Sequence, residues 1–183
     1  MIARVALLGA ALLGLGACNG GSDGNGATPD GNAAAGQAAP AAASGTLVDL
    51  LARPDSARFT AAIRSVGMEP VLKGPGPYTL LLPTDAAMAA AGNLGGDKEK
   101  LTRLLSNHVL PGTITIADIG KAIDARGGKA RLATMAGGTL TATRQGNGIV
   151  LTSGTARAAL TGAERRFGNG VVHRVDAVLA PAA

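Results

Sequence analysis

Aromatic side chains are almost missing from this chain: two Phe, one Tyr and no Trp among 183 residues. Single-stranded nucleic acid is commonly held by stacking bases on such rings, so nucleic acid is set aside as a partner. Cysteine occurs once, at Cys18, which excludes an intrachain disulfide and leaves the fold to stabilise itself by burial. Two histidines, His108 and His173, with that single cysteine make no metal-ligand cluster, and no phosphate-cradling glycine motif is present. Neither a metal nor a cofactor is expected. The first apolar run, residues 5–15, is too short to span a bilayer comfortably.

That run belongs to an export signal. Arg4 supplies the positive charge, residues 5–15 the apolar core, and Leu15-Gly16-Ala17 the small residues before Cys18. Small residues directly ahead of a cysteine resemble the bacterial lipobox, which implies that residues 1–17 are removed and that Cys18 is acylated. Lipidation also accounts for an odd cysteine in an exported protein. With Asn19 rather than aspartate after the cysteine, the resemblance points to the outer membrane. Residues 18–44 then form a tether of Gly, Ala and small polar residues without a large apolar side chain, a composition that cannot bury enough surface to fold. As a flexible chain it reaches about 25–30 Å. The folded part is assigned to residues 45–183.

Residues 78–83, Tyr-Thr-Leu-Leu-Leu-Pro, read as a strand with no polar face, covered on both sides and stopped by Pro83. Thr84 or Asp85 caps a short helix over 85–91. Before the strand, apolar spacing predicts helical stretches over 46–52 and from Pro54 to a stop at Gly67, and Gly74-Pro75-Gly76-Pro77 predicts a turn. After it, Asp97 caps a helix that carries Leu101, Leu104, Leu105 and His108 on one face and stops at Pro111-Gly112. Another helix is predicted over 116–125. Strands follow over 131–135, 139–144, 149–152 and 156–160, punctuated by glycine pairs, and a last long strand runs from an Asn169-Gly170 turn towards Pro181. Helices gathered first and strands later give an α+β class.

Three motifs stand in order along residues 45–181. The first is Thr79, Pro83, Thr84, Asp85 and Ala87 with Met88 in an aromatic position. The second is Asn107-His108 through Pro111-Gly112. The third is Asn169, Gly170, His173, Asp176, Val178, Leu179 and Pro181. Together they resemble the fasciclin (FAS1) domain family. The resemblance implies a single domain, a wedge of two β-sheets flanked by several short α-helices. It also implies an extracytoplasmic binding or adhesion module rather than an enzyme.

Adhesion motifs proposed in some animal members fall here on Asn107-His108 and on Glu164-Arg165-Arg166, so Asn107, His108, Glu164, Arg165 and Arg166 are the candidate partner-binding residues. Charge offers a second lead. Of 17 basic and 12 acidic residues, Arg4 lies in the leader and Asp23 and Asp30 in the tether. The domain therefore keeps 16 and 10, a net of +6. Arg126, Lys129 and Arg131 cluster in sequence, as do Arg165 and Arg166, and such patches suit anionic lipid headgroups or an acidic polysaccharide. They equally suit an unliganded arginine-rich surface. His173 shares a strand face with Val171 and Val175 and reads as a hydrogen-bonded core residue, as does His108 on its apolar helix face. Asp176, three residues on, would face the other side of that strand. Ser106 near His108 is no evidence of a triad, which is recognised by spatial geometry.

The expected function is a lipid-anchored module for adhesion or envelope-matrix contact, with an envelope or matrix protein or an anionic polysaccharide as partner. The alternatives are an envelope hydrolase or small-ligand-binding protein with a site near His108, and a purely structural envelope component.

Overall fold

In the strand Tyr78–Pro83 (β1), Leu80, Leu81 and Leu82 leave no polar face, and all three are buried in the computed structural model, which describes residues 45–92 and 96–181. Side chains alternate along a strand, so Leu80 and Leu82 enter one apolar cluster and Leu81 another. Each fully buried leucine stabilises the fold by about 1.5–3 kcal/mol. β1 is the septum between two cores.

The first core is covered by helices. A 3₁₀ helix, Leu47–Ala52, and a 3₁₀ turn, Pro54–Ser56, lead into α1 (Ala57–Val66). Then come α2 (Glu69–Lys73), α3 (Asp85–Ala90) and α4 (Lys98–Asn107). Their apolar faces bring Leu47, Phe59, Ile63, Leu72, Met88 and Leu105 against β1. Three ends are set by short-range chemistry. Gly67 closes α1 at φ +75°. The Thr84 hydroxyl accepts from the Ala87 N–H at 3.1 Å, and Asp97 accepts from the Glu99 and Lys100 N–H groups. Asp85 does something the sequence did not suggest. Its carboxylate accepts from the Arg58 N–H at 3.0 Å, capping α1, whose own Ser56 makes no side-chain cap. The expected first helix is 3₁₀, and five-residue α2 is too short for apolar periodicity to reveal.

The second core lies between α5 (Ile116–Ala125) and a sheet made of β2 (Val109–Pro111), β1, β3 (Lys129–Ala133), β4 (Thr139–Gln145), β5 (Gly148–Ser153), β6 (Ala156–Phe167) and β7 (Gly170–Val175). The strand order is β2-β1-β7-β6-β5-β4-β3, antiparallel throughout except for parallel β1 and β7. The two expected sheets, β2-β1-β7-β6 and β6-β5-β4-β3, share β6 and so run on in one hydrogen-bonded order. Twelve-residue β6 belongs to both halves, pairing with β5 through Ala156–Ala159 and with β7 from Leu160 onward. A register shift between Thr161 and Arg165 bends it at the junction.

Other boundaries also moved. Pro83 does not stop the ladder, because it pairs with Val175 and the Thr84 N–H reaches the Val175 carbonyl at 3.1 Å. β7 ends at Val175, well before Pro181, so Asp176 lies beyond the strand and its carboxylate accepts from the Ala159 N–H at 2.7 Å. Gly170 is required where β7 enters beside β1, since a Cβ there would overlap the Tyr78 carbonyl. Residues 1–17, Cys18 and the tether to residue 44 lie outside the described residues. Among the described residues, no helix is long and apolar enough to cross a membrane.

Candidate functional site

Asn107 and His108, at the C-terminal end of α4, have 0% exposed surface. The Asn107 amide nitrogen donates to Ser153 Oγ at 3.1 Å and to the Leu179 carbonyl at 2.9 Å, and its oxygen accepts from Thr134 Oγ1 at 3.1 Å. One side chain thus ties α4 to the turn after β3, to β5 and to the C-terminal segment. His108 Nδ1 donates to the Leu104 carbonyl at 2.9 Å, and Nε2 accepts from the Leu179 N–H at 3.0 Å. These partners fix the neutral Nδ1–H tautomer. Burial pushes the ring down to about 4, against a smaller opposing effect of the Leu104 carbonyl. The ring also meets Phe59 edge-on, with centroids 6.2 Å apart.

The expectation that Asn107 and His108 form a contact surface is therefore corrected. Their polar atoms are consumed internally, and no partner can reach them in this fold. The same geometry removes support from a hydrolytic or ligand site at His108, because the ring offers neither a free nitrogen nor an opening.

The third motif is likewise structural. Asn169 accepts from the Leu47 N–H and donates to the Leu72 and Gly74 carbonyls, each at 2.8 Å, binding the first 3₁₀ helix and the α2–β1 turn to the β6–β7 hairpin. His173 is buried, and Nε2 donates to the Ile114 carbonyl at 2.7 Å. Burial lowers its pKa, opposed by the Ile114 bond and the charge of Glu164. Thr79 donates to the Gly112 carbonyl at 2.7 Å and accepts from the Ile114 N–H at 2.8 Å. Sequence matching marked these residues without revealing what they join.

Glu164, Arg165 and Arg166 do not form one patch. Glu164 has a side chain only 9% exposed, with one oxygen accepting from the Ile116 N–H at the start of α5 and the other held by Arg166 Nε at 2.8 Å. Alternation turns Arg165 to the other face of β6, where its guanidinium lies 5.8 Å from the Phe167 ring centroid. Glu164 is a helix anchor. Arg165 and Arg166 stay partly exposed but on opposite faces.

Cations gather elsewhere. Lys129 and Arg131 project from the outer face of β3, and Arg157 projects from the same face of β6. On the other side of the sheet, a groove of about 420 Å³ lies between α5 and the strands, with Ile116, Ile149 and Leu160 in its walls and the Arg144–Asp124 pair across its rim. Among the described residues, no group of three or more His, Cys, Asp or Glu side chains could hold a metal.

The pattern described as Fasciclin domain matches residues 54–181. The chain belongs to the fasciclin domain family. Protein sll1483 of Synechocystis sp. is 30% identical over 144 residues, spanning 74% of this chain and 73% of that protein. Transforming growth factor-beta-induced protein ig-h3 of Sus scrofa is 28% identical over 126 residues, 66% of this chain but only 17% of ig-h3. Among solved structures, a FAS1 domain pair from the insect cell adhesion molecule fasciclin I superposes with a TM-score of 0.58 at 21% identity. That match covers 69% of this chain and 45% of the other. In this fasciclin domain the matched motif residues brace junctions between elements, and the outer face of β3 to β6 keeps an open polar surface.

Proposed function

We propose that this protein is a lipid-anchored, exported binding module that makes adhesive or matrix contacts in a bacterial envelope. It would work by displaying a rigid domain on a tether, which raises its effective concentration near neighbouring surfaces. The observation that carries this reading is membership of the fasciclin domain family, whose relatives here include a cell adhesion molecule. The engagement of both ring nitrogens of His108 favours it over a hydrolase. The lipobox at residues 15–18 supports the anchor, with Asn19 favouring the outer membrane.

The full chain should bind saturably to fractionated envelope or extracellular polysaccharide. Loss of binding at high salt indicates charge recognition and persistence a packed interface. Absence of binding to every fraction would sink the reading. The anchor is tested apart from it: Cys18→Ser should abolish fatty-acid labelling and release the protein from the membrane fraction.

A further inference from the structure

The outer face of β3 to β6 carries polar groups that no internal contact accounts for. Ala130, Leu140, Leu151 and Ala158 turn into the second core, so alternation points Arg131, Thr141, Thr152 and Arg157 outward. The register sets these four in one cross-strand row: Arg131 opposite Thr141, Thr141 opposite Thr152, and Thr152 opposite Arg157. Two hydroxyls thus lie between two guanidinium groups, across three strand spacings of about 4.8 Å each. In the next row Lys129 stands opposite Thr143. A shallow depression of about 480 Å³ is formed here, lined in part by Lys129, Thr141, Thr152, Thr155 and Arg157.

Carboxylates are missing from this face. β3, β4 and β5 contain no Asp or Glu, and Glu164 of β6 is turned to α5. Asp176 stands at the border, with one oxygen on the Ala159 N–H. Among the described residues, Lys129, Arg131 and Arg157 have no salt-bridge partner. Cations on an edge strand discourage edge-to-edge pairing, and that explains Lys129 and Arg131 on β3. Arg157 stands on the stretch of β6 that pairs with β5 but lies beyond the end of β7, so the same reason extends to it, yet it does not explain the hydroxyls in register between the cations.

We infer that this face binds an acidic polysaccharide, whose repeating carboxylate or sulfate groups meet the cations while its hydroxyls bond to the threonines. The guanidinium fork matches carboxylate and sulfate oxygens in pairs, and a threonine hydroxyl can both donate and accept. A bilayer fits less well. Met135, the exposed large apolar side chain among the described residues, lies in the β3–β4 connection outside the depression. This inference specifies the partner of the binding module proposed above and rests on that reading.

The test titrates the full chain against heparin, polygalacturonate, neutral dextran and phosphatidylglycerol vesicles. Wild type should bind one or both polyanions and not dextran. K129Q/R131Q/R157Q should weaken that binding by roughly tenfold, about 1.4 kcal/mol. The charge-matched control K73Q/K98Q/R103Q, also at exposed cations, should lose less than about a third as much in free energy. Thr152→Val, which leaves the charge unchanged, should weaken binding by roughly threefold through the lost hydroxyl. Equal losses in the two triple variants would reduce the effect to net charge and overturn the site. Failure to bind either polyanion would overturn it too, and vesicle binding that K129Q/R131Q/R157Q weakens would then assign the face to lipid, since an acyl chain on Cys18 would hold both proteins alike. Binding to an envelope fraction that survives K129Q/R131Q/R157Q would overturn this face while leaving the binding-module reading intact.

Discussion

At the end of α4, Asn107 and His108 bring together four polar side-chain atoms, each hydrogen-bonded within the chain and none exposed. Across the outer face of β3 to β6, Arg131, Thr141, Thr152 and Arg157 bring together as many hydrogen-bonding groups in a row open to solvent. The first region holds elements together, since a buried polar group left unpaired costs about 1–3 kcal/mol and these are paired. The second ties no elements together, since among the described residues none of its four side chains makes a salt bridge and all stand at least partly open to solvent. Motif residues are therefore a poor guide to the open surface of this domain, because the motifs mark the knots.

The sharpest way to break this contrast is to remove a knot. His108→Ala deletes a fully buried ring and strands the Leu179 N–H, and Asn107→Ala strands partners on three segments. Each should cost about 3–5 kcal/mol in denaturant unfolding. A well-folded His108→Ala protein of near wild-type stability would reopen the case for a site there.

Acid should act on the same knot. The unfolded chain takes a proton on His108 near its ordinary 6.5, whereas the folded chain takes it only near about 4. The unfolded state then binds more protons between those values, so stability falls as pH is lowered through that window and levels off below it. The loss is on the order of 3 kcal/mol. His173, also lowered by burial, works in the same direction. A denaturant midpoint that stays flat from pH 6.5 to 4.5 would contradict the assigned neutral ring.

Single bonds at the motif edges should matter less. Thr79→Val leaves the Ile114 N–H without its acceptor and should cost about 1–2 kcal/mol. Thr84→Ala removes the α3 cap at about 1 kcal/mol. The smallest effect is expected on the open face, where K129Q/R131Q/R157Q should keep thermal stability within about 0.5 kcal/mol of wild type. A larger loss would mean that these cations brace the sheet, and the contrast between the two regions would fail.

Some of this was plain in the residues. Leu80 to Leu82 have no polar face, so a strand buried on both sides followed from local pattern. Ile119 and Ile123 recur at helical spacing, and the helix predicted over 116–125 matches α5 to the residue. The caps Thr84 and Asp97 and the stop at Gly67 were legible because each acts within four residues of itself. The burial of His173 among apolar neighbours was also readable, and the apolar helix face pointed the same way for His108 while the family motif placed it on a contact surface.

What local pattern could not contain is any relation between distant segments. Asp85 caps a helix 27 residues earlier, and Asn169 binds Leu47 across 122. β6 reads as five residues of strand, yet it runs twelve because β7 pairs with its second half beyond the bend. Asn107 looked like a surface residue at a helix end until the C-terminal segment closed over it through Leu179. Arg157 lies 26 positions from Arg131 and shares its row only through strand register. By itself the sequence determined composition, the capped helix ends and the buried strand, since these depend on short-range spacing and capping. Tertiary structure alone decided which polar residues are enclosed and which stay open, because burial depends on what packs against a residue and not on its neighbours along the chain.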